Sequence, residues 1–198
     1  MWIIAAIFCL ISYLIGSIPT GYWVGLMVKR IDIRTVGSKN IGATNVFRIL
    51  GRKYGILVLV IDILKGVIPV IGARIYFPHE FQIIWILIGM SAICGHTWTI
   101  FLRFKGGKGV ATSLGVFLGL APIPVLIVIP VFAAIVYFTR FVSLGSIVAS
   151  LLLSPLVWIF APKSLPLLIF CIAMTVLIIL RHIPNIKRLI KGEENKLF

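Results

Sequence analysis

The chain has 198 residues, 61% of them hydrophobic, and a mean hydropathy of +1.16. A soluble globular domain holds about 45–50% apolar residues, so a water-soluble fold is excluded and most of this surface faces lipid. The 19 Lys and Arg against five Asp and Glu give a formal charge of +14, which in so apolar a chain reads as cytoplasmic loops facing anionic headgroups rather than as a nucleic-acid surface.

Lipid-exposed backbone has to be hydrogen-bonded internally. Runs such as VLIVIPVFAAIVYF (125–138) lack the alternation of a barrel strand. The expected fold is therefore an all-α integral membrane protein with a single domain, residues 1–198. Seven apolar stretches are predicted: 2–27, 54–77, 82–102, 110–121, 123–139, 143–160 and 165–180. The first has no basic leader and is followed by Lys29 and Arg30, the mark of a retained span rather than a cleaved signal. The fourth is short for a ~30 Å core, where ~20 residues are usual; it is tilted, sunk into the bundle or re-entrant. The weakest cut is LAPIPV (120–125), a break or a kink in one longer helix.

With seven transmembrane helices, the loops 29–53, 103–109 and 140–142 and the tail from 181 share one side. They carry seven, three, one and five Lys and Arg, sixteen of the 19. Lys163 stands on the other side, and Lys65 and Arg74 fall inside the second span. The bias places the N-terminus outside and the C-terminus in the cytoplasm. Cys9, Cys94 and Cys171 lie in apolar stretches without CxxC spacing and read as small hydrophobes, with no disulfide and no zinc site.

Three polar constellations fall on the cytoplasmic side. In VGSKNIGATNVFRILGRK (36–53), Gly37 and Gly42 permit tight turns, and Ser38 and Asn40 suit turns or caps. A helix over GATNVFRIL sets Thr44 and Arg48 at i, i+4 and Asn45 and Arg48 at i, i+3. Arginine offers a planar fork to a phosphate. In FKGGKGVATS (104–113), Gly106, Gly107 and Gly109 free the backbone around Lys105 and Lys108 to wrap an anion. A helix starting near Val110 would aim its dipole at that anion. The Walker A pattern fails, because Gly109 follows Lys108 and Leu102 stands at the leading Gly position. In RHIPNIKRL (181–189), His182 and Asn185 are three apart, and Pro184 predicts a break or a new helix nearby. The short loop around Ser143 joins these three. Each segment also has a plainer explanation: a solvated loop, a flexible turn, and membrane-edge anchoring by Arg181, Lys187 and Arg188.

Inside the spans, Asp62 and Lys65 are spaced to pair at i, i+3 and brace the bundle. His96 is expected as a packing residue and His79 as an outer loop residue. The five carboxylates, Asp32, Asp62, Glu80, Glu193 and Glu194, form no acidic cluster for a two-metal site. No histidine is followed five residues on by Asp, and no G-x-S-x-G elbow occurs. The chemistry therefore needs little acid–base machinery and much anion stabilisation, with no cofactor and no metal.

VGSKNIGATNVFR, FKGGKGVAT and RHIPNIKRLIKGEE, in this order, resemble the bacterial acyl-phosphate:glycerol-3-phosphate acyltransferase family (PlsY type) over nearly the whole chain. The resemblance implies transfer of a fatty acyl group from acyl phosphate to the 1-hydroxyl of glycerol 3-phosphate, giving lysophosphatidic acid and phosphate at the cytoplasmic face of the bacterial inner membrane. It implies active-site roles for Ser38 and Arg48, with Asn40, Thr44 and Asn45 lining the site. Gly106, Gly107, Lys108 and Gly109 would bind glycerol phosphate beside Lys105, and His182 and Asn185 would come from the third motif. Ser143 and Glu194 match a loop serine and a structural glutamate of the family. A peripheral enzyme that produces acyl phosphate fits as a partner. The chain departs from the family at Ile183 and Pro184, where charged residues are common. The expected reaction is direct acyl transfer, with the hydroxyl proton passing to His182 or, the favoured route, to a substrate phosphate. The alternative function is a transporter of a phosphorylated metabolite; a scaffold would leave the three polar loops unexplained.

Overall fold

The computed structural model describes residues 1–161 and 164–198, so Lys163 lies outside the described residues. Nine α-helices are described: α1 (Trp2–Ser17), α2 (Thr20–Lys29), α3 (Ala43–Leu50), α4 (Arg52–Tyr76), α5 (Gln82–Thr97), α6 (Val110–Leu120), α7 (Pro122–Thr139), α8 (Val142–Phe160) and α9 (Leu165–Ile190). No strand occurs among the described residues. The chain divides into two compact units, Met1–Leu120 and Ala121–Phe198.

In the first unit, α1 packs along α5 and α4 along α6. Both contacts run through glycine. A Cβ on Gly16 would collide with the Ala92 carbonyl, and one on Gly95 with the Tyr13 carbonyl. Gly66 lies in the same way on the Thr112 carbonyl, and Gly115 on that of Ile63. Between lipid-facing helices, where apolar burial drives little, such close backbone approach supplies the packing energy.

The first apolar stretch is not one continuous helix. Pro19 lacks an N–H and disfavours helical backbone at Ile18, so α1 ends at Ser17 and α2 begins at Thr20. The carbonyls at the break find donors elsewhere in the unit. Thr99 Oγ1 donates to the Ser17 carbonyl at 2.5 Å, and Lys65 Nζ to the Ile18 carbonyl at 3.0 Å. Lys65 also pairs with Asp62 at 2.8 Å, the i, i+3 pairing expected from the sequence, and Thr20 Oγ1 donates to Asp62 at 3.2 Å.

A buried apolar cluster then ties the loops together. Val24 of α2, Ile33 and Ile41 of the loop before α3, Val46 and Leu50 of α3, Val58 of α4 and Leu102 pack as one group. Leu102 immediately precedes the glycine loop, so the first two polar constellations stand on one footing.

In the second unit, α8 packs on both α7 and α9. The cut at LAPIPV is a true break: α6 ends at Leu120, α7 begins at Pro122, and Ala121 lies between them with φ −147° and ψ 74°. The expected end of the last span at 180, with a break near Pro184, needs correction. Helix α9 runs unbroken to Ile190 with Pro184 inside it. Proline removes only its own donor to the Leu180 carbonyl, and the turn beyond it is secured by side-chain bonds from Asn185 and Arg188.

Among the described residues, six helical stretches are long and apolar enough to cross a membrane, and Val110–Leu120 is a shorter apolar helix. At 1.5 Å per residue, α6 reaches about 16 Å, roughly half of a ~30 Å core. Cys9, Cys94 and Cys171 are free thiols.

The glycine contacts make a differential prediction. Gly66→Ala places a methyl against the Thr112 carbonyl and should destabilise the detergent-solubilised protein by about 1–3 kcal/mol. Gly72→Ala, with nothing near its Cβ, should leave it unchanged or more stable by up to about 1 kcal/mol. Thermal unfolding of the two variants side by side checks this.

Candidate active site

The first constellation is a loop shaped by one side chain. Asn45 is 1% exposed, and its Nδ2 lies 3.0, 3.1 and 3.0 Å from the carbonyls of Ile33, Val36 and Asn40. Its Oδ1 accepts from the Ser38 amide at 2.8 Å, which leaves no room for a Cβ at Gly37. Gly37 and Lys39 sit in the left-handed region, with φ 58° and 57°. Asn40 Oδ1 accepts from the Gly42 amide at 2.8 Å, turning the chain into α3, which starts at Ala43 within the GATNVFRIL stretch. Ser38, Asn40, Thr44 and Arg48 are half-buried. Ser38, Asn40 and Asn45 are thus brought into one hydrogen-bonded turn.

Two other cations of this segment have structural partners. Arg34 forks onto Asp32 at 2.7 Å and stacks on Tyr22, while Lys29 donates to the Ile49 carbonyl at 3.2 Å. The Arg34 hydrogen bonds hold the Asp32 carboxyl below its ordinary value.

The glycine loop lies against the end of α5. The Gly106 amide donates to the Thr97 carbonyl at 3.1 Å and the Gly107 amide to the His96 carbonyl at 3.0 Å. Both acceptors belong to the last turn of α5, whose carbonyls have no helical donors. Two of the amides expected to wrap an anion are therefore committed to this helix end. A Cβ on Gly106 would strike the His96 carbonyl, and one on Gly107 the His96 Nε2. Gly109, at φ 82°, turns the chain into α6, which begins at Val110 as expected. Lys105 is exposed and Lys108 half-buried. Sequence spacing did not single out the buried hydroxyls Thr112 and Ser113 in the first turn of α6. Neither has a hydrogen-bond partner among the described residues.

In the second unit the third constellation gathers on Glu194. Asn185 Nδ2 donates to Glu194 Oε1 at 2.6 Å, Ser143 Oγ to the same oxygen at 2.9 Å, and Arg188 Nε to Oε2 at 2.7 Å. Ser143 and Asn185, far apart in sequence, therefore meet at one carboxylate. The tail folds back for this through Gly192 (φ 71°), and the Leu197 amide donates to the Arg140 carbonyl at 2.8 Å. His182 is 2% exposed, and its Nδ1 lies 2.7 Å from the Ile178 carbonyl. A carbonyl only accepts, so Nδ1 carries the proton in this contact. Burial pushes the Glu194 carboxyl up, but the bonds from Asn185, Arg188 and Ser143 and the Arg188 charge outweigh it and hold the group below its ordinary 4.5.

Among the described residues no group of His, Cys, Asp and Glu is placed to hold a metal ion. What the clusters offer is cations, amides and hydroxyls suited to phosphate oxygens.

Comparison with known proteins agrees with this chemistry. Residues 6–192 match the family model described as glycerol-3-phosphate acyltransferase. The chain is 46% identical over 196 residues to the glycerol-3-phosphate acyltransferase of Fusobacterium nucleatum, covering 96% of this chain and 98% of that one. It is 49% identical over 195 residues to the protein of the same name from Endomicrobium trichonymphae, covering 98% and 96%. Its fold is similar to that of PlsY (YgiH), an integral membrane glycerol 3-phosphate acyltransferase. The crystal structure of the glycerol 3-phosphate form gives a TM-score of 0.90 at 39% identity, covering 97% of this chain and 94% of that one. The lysophosphatidic acid form gives 0.86 at 38% identity over the same shares.

Because the folded Glu194 carboxyl is held low, its stabilisation is fully present at neutral pH and is lost as pH falls through the folded value. Hydrogen-exchange protection of residues 191–198, corrected for intrinsic rates, should hold from neutral pH down to about 4 and then drop. Glu194→Gln should remove that pH dependence.

Proposed function

This chain belongs to the glycerol-3-phosphate acyltransferase family, and from that membership we propose that it transfers a fatty acyl group from acyl phosphate to the 1-hydroxyl of glycerol 3-phosphate. The products are lysophosphatidic acid and inorganic phosphate. The observation that carries the site assignment is the shared apolar footing of the first two loops, which holds the segment of Ser38, Thr44 and Arg48 and that of Lys105 and Lys108 at one end of the first unit.

Acyl phosphate is a mixed anhydride with a good leaving group, so neither a covalent enzyme intermediate nor a metal is needed. The glycerol hydroxyl oxygen attacks the acyl carbon, the bond to the phosphate oxygen breaks, and phosphate leaves with the electron pair. Arg48 and Lys108 offset the repulsion between the two anionic substrates and hold them in reach, which supplies much of the acceleration. Ser38 and Asn40 offer neutral donors, Thr44 and Gly109 line the glycerol phosphate, and Asn45 shapes the loop that presents them. In the second unit, Glu194 fixes Asn185 and Ser143. The hydroxyl proton goes to a departing phosphate oxygen. His182 is the second route.

The protein sits in the bacterial inner membrane with seven crossings, the N-terminus outside and the C-terminus cytoplasmic. The short α6 completes its crossing with the glycine loop, which places Lys108 below the headgroups. A peripheral enzyme making acyl phosphate is the expected neighbour. The acyl chain lies among the helices.

Purified protein given glycerol 3-phosphate should release phosphate stoichiometrically with lysophosphatidic acid from acyl phosphate, and should not use acyl-CoA or acyl-carrier protein. Lys108→Ala should raise the apparent KM for glycerol 3-phosphate by more than about tenfold, the worth of one charge-assisted hydrogen bond. An unchanged KM would contradict the loop's role. Uptake of glycerol 3-phosphate into liposomes without product would mean carriage instead of transfer.

A further inference from the structure

The Asp62–Lys65 pair and His96 lie inside the first unit, and the transfer reaction described above does not use them. Each is buried: Asp62 is 2% exposed, Lys65 4% and His96 4%. Buried charge in a span is costly and calls for an explanation. Lys65 reaches the Ile18 carbonyl at the break between α1 and α2, and Asp62 holds Lys65 and accepts from Thr20. The same Asp62 oxygen lies 4.0 Å from His96 Nδ1, beyond hydrogen-bond distance. His96 in turn meets the glycine loop twice. Its carbonyl accepts from the Gly107 amide, and its ring occupies the place a Gly107 side chain would need. Lys108 is the next residue.

We propose that His96 is a positioning residue for glycerol 3-phosphate binding: its ring and carbonyl seat Gly107, and so aim Lys108. Gly107 is glycine because the imidazole is its floor. Gly106 differs, since its side-chain space is closed by the His96 carbonyl, which every residue at position 96 retains. This inference rests on the assignment of the 105–109 loop to glycerol 3-phosphate, and the test separates the two.

Binding of glycerol 3-phosphate to the solubilised full chain, measured by calorimetry without any acyl donor, reads the loop directly. If wild type shows no binding, the loop assignment itself is overturned, whatever His96 does. Given wild-type binding, His96→Ala should weaken it by about tenfold, roughly 1.4 kcal/mol, and His96→Gln, which keeps a flat polar group over the loop, should recover most of that loss. Gly107→Ala should also weaken binding, yet the double variant Gly107→Ala/His96→Ala should bind no worse than the weaker single, because the methyl then has room. Gly106→Ala/His96→Ala should show the product of its two single losses. In native membranes, which spare variants that do not survive detergent, the same pattern should appear in KM with kcat within about twofold. Wild-type affinity for His96→Ala, independent losses at 96 and 107, or a fall in kcat at constant KM would each overturn the proposal.

Discussion

Pro19 takes the Ser17 and Ile18 carbonyls out of the regular helical ladder in an apolar interior, and the donors that answer them organise the first unit. An unsatisfied carbonyl in hydrocarbon costs several kcal/mol. Thr99 and Lys65 supply the missing bonds from the start of the loop after α5 and from α4. Lys65 can be buried only because Asp62 is beside it. One broken helix therefore requires an ion pair, fixes α4 and the end of α5 relative to α1 and α2, and sets the position from which the glycine loop departs.

Many polar groups around these loops shape the loops themselves. Asn45, Asp32, Arg34, Lys29 and the amides of Gly106 and Gly107 have backbone or side-chain partners that hold the loops in form. In the second unit Glu194 does the same for Ser143 and Asn185. Such dense internal bonding suits a site that must present cationic groups to two anions without reorganising as charge moves between them. Chemistry that starts from an activated acyl donor asks for little more.

Much of this was legible in the residues. The helical character, a helix within GATNVFRIL, the start of α6 after Gly109 and the Asp62–Lys65 pair all follow from the local sequence. Other features needed the fold. Asn45 looks like a lining residue in sequence, and only the turn around it shows that its amide is taken by Ser38, Ile33, Val36 and Asn40. The direction of the Gly106 and Gly107 amides depends on where α5 ends. Pro184 reads as a breaker because a helix in water rarely survives proline, whereas here the Glu194 contacts secure the turn beyond it. The meeting of His96 with Gly107, across a loop, has no periodic signal at all.

The central claim is that the three basic segments emerge on one face of the membrane. It is tested most directly by single cysteines replacing Lys39, Lys105 or Lys187, all exposed, in a background lacking Cys9, Cys94 and Cys171, labelled with a membrane-impermeant maleimide. The proposed topology predicts labelling of all three in inside-out vesicles and of none in right-side-out ones. Labelling of any one of them from the outer face would contradict it.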